Sequence, residues 1–169
     1  MAEREIVVYG ASGHGKVVAE VVISTGARLA GFIDDGVAPG TVVLGLPVLG
    51  PFAWLEQRAG SVAVVPGIGE NRVRAKVCGR LRGVGVELAT FVHARAWVSP
   101  SATLGEGTVV MAMAVVNADA WIGRGVIVNT AAIIEHDCRI GDFSHVSPNA
   151  VMGGGVEVGE LSHVGIGAA

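Results

Sequence analysis

"VVMAMAVVNADAWIGRGVIVNTAAIIEHDCRIGD", residues 109–142, carries an aliphatic side chain at every sixth position: Val110, Val116, Ile122, Val128, Ile134 and Ile140. The same beat starts at Val92 and continues through Val146, Met152 and Val158 to Val164, thirteen positions without a miss. The residue two places before each is almost always small, from Thr90 and Ala96 to Ala150 and Ser162. A period of six matches neither the helical nor the strand periodicity. It is the hexapeptide signature of a parallel β-helix, in which short strands are joined by tight turns; a sandwich of ordinary strands would show no fixed period. The aliphatic and small positions point inward and three hexads close one triangular coil. Residues one coil apart then stack, and each coil's apolar ladder is covered only by its neighbours. The place after each aliphatic residue is often Gly or Asn, as at Gly105, Asn117, Gly123, Asn129, Gly141, Gly153, Gly159 and Gly165. That preference predicts a left-handed turn there.

Composition bounds the rest. A chain of 169 residues with 51% hydrophobic side chains holds one sizeable domain or two small ones. A net charge of −3 and the lack of any Lys/Arg cluster argue against nucleic acid or an anionic membrane as partner, and leave small neutral or anionic ligands. No apolar run approaches the roughly 18 residues of a membrane span. The opening "MAEREIVVYG" is charged and then enters a strand, unlike a signal peptide, so a cytoplasmic location is expected. Cys78 and Cys138 have no second ligand at metal spacing, so reduced structural thiols and no metal are expected.

The first ninety residues follow another pattern. "EIVVYG" reads as a strand, "GASGHGK" as a Gly-rich turn and "KVVAEVVISTG" as an apolar helix closed by Gly26. "RLAGFIDD" and "SVAVVPG" read as further strands, and "ENRVRAKVCGRLRG" as a helix with its basic residues on the outer side. Strands alternating with helices imply a small parallel α/β sheet of the Rossmann type over residues 1–89, ahead of the β-helix at 90–169. Gly10, Gly13 and Gly15 have the spacing G-x-x-G-x-G, not the dinucleotide fingerprint, so NAD is not the expected ligand. The turn offers backbone N–H groups and a helix N-terminus to an anion. Ser12, His14 and Lys16 beside the glycines point to phosphate, with Asp34 and Asp35 at the end of the second strand available to a ribose or base.

"YGASGHGKVVAE", "GFIDD" and "NTAAIIEHDCRIGDFSHVSPNAVMGGG" together resemble the bacterial sugar O-acyl/N-acyltransferases, a group that includes sialic acid O-acetyltransferases and acetyltransferases of UDP- or GDP-linked 4-amino sugars. The resemblance spans essentially the whole chain. It implies a left-handed β-helix, an exception to the usual crossover hand, and a homotrimer binding acetyl-CoA between subunits. It also implies that "GASGHGK" with Asp34 and Asp35 holds the nucleotide of a sugar nucleotide, that His136 is the catalytic base, and that Asp137 orients it. Family members continue for one or two coils beyond the segment matching "SHVGIGAA", whereas this sequence stops mid-repeat with the C-terminal coil missing, so either a truncated form or a shorter cofactor groove is expected.

The residues support that chemistry independently. Glu135, His136 and Asp137 interrupt an apolar run in a chain with only 16% charged residues, and His136 lies two places past inward Ile134, at a corner of the triangle. Acyl transfer from a thioester to an amine or hydroxyl needs a base near neutrality, which imidazole provides. An adjacent carboxylate can set its tautomer; Asp137 is the first candidate and Glu135 the second. One coil after His136 comes Gly154, a candidate oxyanion donor through its N–H. Asn129 is a candidate for bonding substrate or cofactor. Cys138 falls on a small inward position, which argues against an acyl-enzyme. His145 and His163 stack on one outward line with Ile127. That line is expected to border, with Gly154 and Gly165, a cofactor pocket facing His136 of a neighbouring subunit. The resulting expectation is an acetyl-CoA-dependent N-acetyltransferase of a nucleotide-linked amino sugar. The alternatives are O-acetylation of a sialic acid or related sugar, and a non-catalytic nucleotide-binding module on a β-helix scaffold.

Overall fold

The computed structural model describes residues 4–169. The N-terminal part comprises β1 (Glu5–Tyr9), α1 (Gly13–Ser24), β2 (Leu29–Ile33), β3 (Val42–Val43), β4 (Leu46–Gly50), α2 (Ala53–Glu56), β5 (Val62–Pro66), α3 (Asn71–Gly83) and β6 (Glu87–Leu88). These strands form one sheet in the order β3-β4-β2-β1-β5-β6, parallel except for the β3–β4 hairpin. β5 is buried along its whole length, as strands covered on both faces by helices must be. From β1 the chain crosses through α1 to β2 on one side, and β5 then pairs with the other side of β1. The strand order therefore reverses at β1, and the loops after β1, β2 and β5 converge outside the carboxyl ends of the strands, the place where open α/β sheets form a ligand crevice.

Thirteen two-residue strands follow, from Phe91–Val92 to His163–Val164, and wind into a left-handed parallel β-helix with three sheets as its faces. Each residue pairs with the one 18 places on, as in Ile127 with His145 and His145 with His163. The hexad positions fill the prism. Val110, Val116, Ile122, Val128, Ile134, Ile140 and Val146 are fully buried, with Ala114, Ala132, Cys138 and Ala150 beside them.

Two expectations need correction. The left-handed backbone falls three places after the aliphatic residue, not one: Met113, Asp119, Ala131, Asp137, Phe143, Asn149 and Leu161 have φ between 55° and 63°. The glycines directly after the aliphatic residue at one corner answer to a different demand. A Cβ on Gly105 would lie 2.5 Å from the Gly123 carbonyl carbon, and one on Gly123 would lie 2.8 Å from the Asp142 nitrogen, so side chains there would hold the coils apart. The second correction concerns α3, whose basic residues are not all outward. Arg72, Lys76 and Arg80 are exposed, but Arg74 is buried.

The N-terminal part docks on the first face of the prism, where Val109 and Ile127 pack with Val18, Val21 and Val22 of α1. On the second face Trp97, Val115, Ile133 and Val151 form an outward apolar ladder. The third face presents Thr103, Trp121, Arg139 and Glu157.

Candidate active site

Glu135, His136 and Asp137 form the turn between Ile133–Ile134 on the second face and Arg139–Ile140 on the third. The left-handed φ of 61° at Asp137 folds its carboxylate back on the preceding ring, and Asp137 Oδ2 lies 2.7 Å from His136 Nδ1. Both side chains are exposed. The hydrogen bond to Asp137, then its charge and more weakly that of Glu135, holds the imidazole above its ordinary value. With Nδ1 committed to the carboxylate, Nε2 is the nitrogen left to exchange a proton with a ligand. Of the two candidate acids, Asp137 is the one that meets the ring.

Gly154, one coil on, lies directly under that ring. A Cβ there would sit 2.5 Å from His136 Cε1 and 2.6 Å from Nε2, so the absence of a side chain is what lets the imidazole lie flat across the corner. This steric role explains the glycine whether or not its N–H serves an oxyanion. Cys138 is fully buried and its thiol donates to the Gly153 carbonyl at 3.1 Å, which removes it from any exposed chemistry.

The crevice of the α/β sheet is a cavity of about 420 Å³ lined by Tyr9, Gly10, Ser12, Asp34, Asp35 and Gly36, together with the loop Gly67–Ile68–Gly69–Glu70. The sequence reading located the first two loops and missed the third. Its signal was the "PGIGE" that follows β5, a second glycine-rich turn at the same end of the sheet. Gly10 and Gly15 serve close packing. A Cβ on Gly10 would lie 2.8 Å from the Gly67 carbonyl oxygen, and one on Gly15 would overlap the Gly10 carbonyl. Gly13 has open space around it and starts α1, whose N-cap Ser12 makes no side-chain capping bond. The α3 terminus differs, since Glu70 accepts from the Arg72 and Val73 N–H groups.

Both acids at the end of β2 already have protein partners. Asp34 accepts from the Ala11 and Gly36 N–H groups at 2.8 Å each and so shapes the loop. Asp35 accepts from the Phe52 N–H at 2.8 Å and from the Tyr9 hydroxyl at 2.5 Å. Burial works against ionisation of Asp35, but these donors and Arg80 outweigh it and hold the carboxyl below its usual range. Tyr9 is correspondingly raised, by burial first and by Asp35 second.

Two residues assigned to the phosphate mouth lie elsewhere. Lys16 is exposed on α1 and does not line the crevice. His14 turns toward the β-helix, its ring centroid 6.2 Å from that of His145, which in turn lies 4.8 Å from His163. The expected outward strip is therefore corrected. Ile127 and His145 are covered by the chain's own N-terminal part, and only His163 is exposed. Asn129 is drawn into the same row. Its Oδ1 accepts from the Thr130 N–H, which leaves Nδ2 to donate to His145 Nε2 at 2.9 Å and puts the ring proton on Nδ1. His163 Nε2 meets the Ser147 hydroxyl at 2.8 Å. Burial is the main cause that lowers His14 and His145 to about 4, with Arg74 acting further on His14 and the other imidazoles on His145. His14 Nε2 and His145 Nδ1 are buried without a well-formed hydrogen bond. A second cavity of about 490 Å³ opens beside this row, lined by Gly69, Glu70, Asn71, Arg72, His145, Leu161 and His163. Gly165 lies outside its lining and is exposed. Among the described residues no group of His, Cys, Asp and Glu is placed to hold a metal ion, and no helix is long and apolar enough to cross a membrane.

Residues 5–81 match the model of the PglD N-terminal domain family. The chain superposes on a His-to-Asn variant of perosamine N-acetyltransferase from Caulobacter crescentus in complex with CoA and GDP-perosamine. The identity is 40% and the TM-score 0.89, covering 96% of this chain and 77% of that one. The chain belongs to the sugar N-acyltransferase family. A second member of similar likeness is the acetyltransferase domain of PglB from Neisseria gonorrhoeae FA1090 in complex with acetyl coenzyme A. It is 39% identical with a TM-score of 0.91, over 98% of this chain and 81% of that one. A curated family relative is UDP-N-acetylbacillosamine N-acetyltransferase of Bacillus subtilis, 38% identical over 121 residues. That match takes in 64% of this chain and 51% of the relative, so the chain spans about half the length of the curated protein it matches.

Proposed function

We propose that the chain transfers the acetyl group of acetyl-CoA to the amine of a nucleotide-linked amino sugar, with His136 as general base and Asp137 as its orienting acid. The observation that carries this reading is the exposed His136–Asp137 pair at 2.7 Å, its Nε2 free above a corner cleared by Gly154. The amine attacks the thioester carbonyl and gives up a proton to His136 Nε2. Asp137 accepts from Nδ1–H and favours the imidazolium so formed. Collapse of the tetrahedral intermediate breaks the C–S bond, and the proton held on Nε2 leaves with the CoA sulfur, so no acyl-enzyme is needed. Gly154 N–H remains the candidate donor to the oxyanion. The chain's relatives, N-acetyltransferases seen with acetyl coenzyme A or with CoA and GDP-perosamine, support the same reading over O-acetylation or a silent scaffold.

The nucleotide belongs, in this reading, in the 420 Å³ crevice against Gly10, Ser12 and the open end of α1. Its sugar would pass over Gly69 and Glu70, which also line the 490 Å³ cavity. That cavity lies on the first face, whereas His136 sits at the corner between the second and third faces, and the filled core of Val128, Ile134, Ile140 and Val146 separates them. One chain therefore does not bring the base to the sugar, and a second copy must. The outward ladder of Trp97, Val115, Ile133 and Val151 beside His136 is the surface on which the corner of one protomer would be carried to the first face of the next. A heterologous contact of this kind closes into the homotrimer. Acetyl-CoA would lie between subunits, in a cytoplasmic enzyme.

The test is thiol release from acetyl-CoA against a panel of sugar nucleotides. His136→Ala should lose on the order of 10²- to 10⁴-fold in kcat. Because the base must be neutral and Asp137 raises it, the acid limb of kcat/KM should fall above the ordinary imidazole value of 6.5, and Asp137→Asn should move it to lower pH while slowing the reaction. Unchanged kcat in His136→Ala would refute the assignment.

A further inference from the structure

Arg74 heads the fully buried side chains by volume, at 1% exposure, and its close hydrogen-bond partners are carbonyls rather than carboxylates. Nε donates to Gly125 O at 2.7 Å. Nη1 donates to Ile68 O and Gly69 O, both at 3.0 Å. Nη2 donates to Phe143 O at 2.8 Å, Ser144 O at 3.2 Å and Asn71 Oδ1 at 2.9 Å. Asn71, one helical turn earlier, extends the series, its Nδ2 donating to Leu161 O at 3.1 Å and Ser162 O at 2.9 Å. Gly125, Phe143 and Leu161 occupy the same turn position in three successive coils. Two neighbouring side chains on α3 thus read the same turn carbonyl in each of three stacked coils.

Joining two surfaces does not require this. The first face already joins α1 through an apolar contact that includes Phe91, Val109, Met111 and Ile127. A buried cation is costly unless its donors are fully used, and burial lowers Arg74 to about 10, so it stays charged at neutral pH. An apolar contact tolerates sliding, whereas a guanidinium fork accepts one arrangement of acceptors. What the arginine adds is register. Its other end holds Ile68 and Gly69 in the loop that lines both cavities.

We propose that Arg74, braced by Asn71, is a positioning residue for acyl transfer. It locks loop 67–70 to the coils in one register, so that a nucleotide in the crevice delivers its sugar at a set place on the β-helix. The proposal rests on the sugar-nucleotide reading above.

The experiment compares a sugar nucleotide with the corresponding free amino sugar as acceptor, both at saturating acetyl-CoA, in wild type and Arg74→Lys. Lysine keeps the charge but cannot span both sets of carbonyls. For the sugar nucleotide kcat should fall ~10- to 100-fold, the scale of a small misplacement at a reacting centre. The nucleoside diphosphate Kd by calorimetry, and the slow rate with the free sugar, should stay within about threefold, since neither uses the register. Asn71→Ala, which keeps Arg74, should show the same acceptor-selective loss in milder form and should not add to Arg74→Lys. Equal losses on both acceptors, as a general loosening would give, or an unchanged kcat for the sugar nucleotide, would overturn the proposal. A wild-type chain that acetylates no sugar nucleotide would instead refute the reaction. In that case amide exchange still tests the lock: loop 67–70 should exchange faster in Asn71→Ala while strands 5–9 and 62–66 do not change, and an unaltered loop overturns it.

Discussion

The first and second faces of the β-helix are built from the same repeat and carry similar outward side chains, yet they stand in opposite surroundings. Val109 and Ile127 on the first face are each 1% exposed beneath α1. Trp97 and Val151 on the second are 58% and 40% exposed. The third face, with Thr103, Arg139 and Glu157 outward, shows what a face left to solvent looks like, apart from Trp121. The inward hexad positions make the prism, and they do so equally for all three faces. The outward positions decide what each face meets, and the ladder on the second face, uncovered by the described residues, is the surface to which the proposed assembly assigns a partner.

The sharpest way to break the contrast is to place a charge on each ladder. Ile127→Asp places a carboxylate in the apolar contact between α1 and the prism, which should cost ~3 kcal/mol or more. At this chain length that lowers Tm by about 6–12 °C. A variant melting like wild type would mean that the first face is not a true interface. Ile133→Asp, on the second face, should leave the far-ultraviolet circular dichroism of the coils intact; if the proposed trimer forms through this face, the molecular mass measured by light scattering should fall to that of the monomer. An unchanged mass would remove the second face from the assembly.

The corners allow a finer comparison. Gly123→Ala forces a Cβ against the Asp142 backbone of the next coil and should destabilise by ~1–3 kcal/mol. Gly153→Ala meets nothing within 4 Å and should change stability by no more than about 0.5 kcal/mol in denaturant titration. Equal effects would show that the glycine corner is not set by coil stacking. A further contrast lies in the pH dependence of the first-face contact. His14 and His145 are lowered to about 4 from 6.5, so between those values the unfolded chain binds more protons than the folded one, and stability falls as the pH drops through that window. His14→Leu should flatten that slope in urea titrations at pH 4.5 and 6.5. A slope as steep as wild type would place the acid sensitivity elsewhere.

Much of the candidate site was legible because the repeat converts spacing into geometry. His136 two places past an inward Ile had to stand at a corner, and Gly154, one coil later, had to lie under it. Cys138 two before Ile140 had to be buried. Where no repeat supplied such a ruler, reading failed. Its neighbours in "GASGHGK" point His14 at phosphate, but its side chain leaves the first turn of α1 toward the coils, a direction set by how the two parts dock. The pattern of α3 places its basic residues outward, yet Arg74 is buried, and its carbonyl partners come from loops as far as 70 positions away.

By itself, then, the sequence determined the β-helix, its coil length, the corner that bears Glu135, His136 and Asp137, and the α/β crevice ahead of it, since each is a matter of local periodicity and turn chemistry. The tertiary structure alone decided which face the N-terminal part covers, that Asp34 and Asp35 are spent on protein donors, that three imidazoles align beside a cavity, and that Arg74 bridges loop and coils. Those features depend on side chains far apart in the chain meeting at one surface, and no period in the sequence records which surfaces meet.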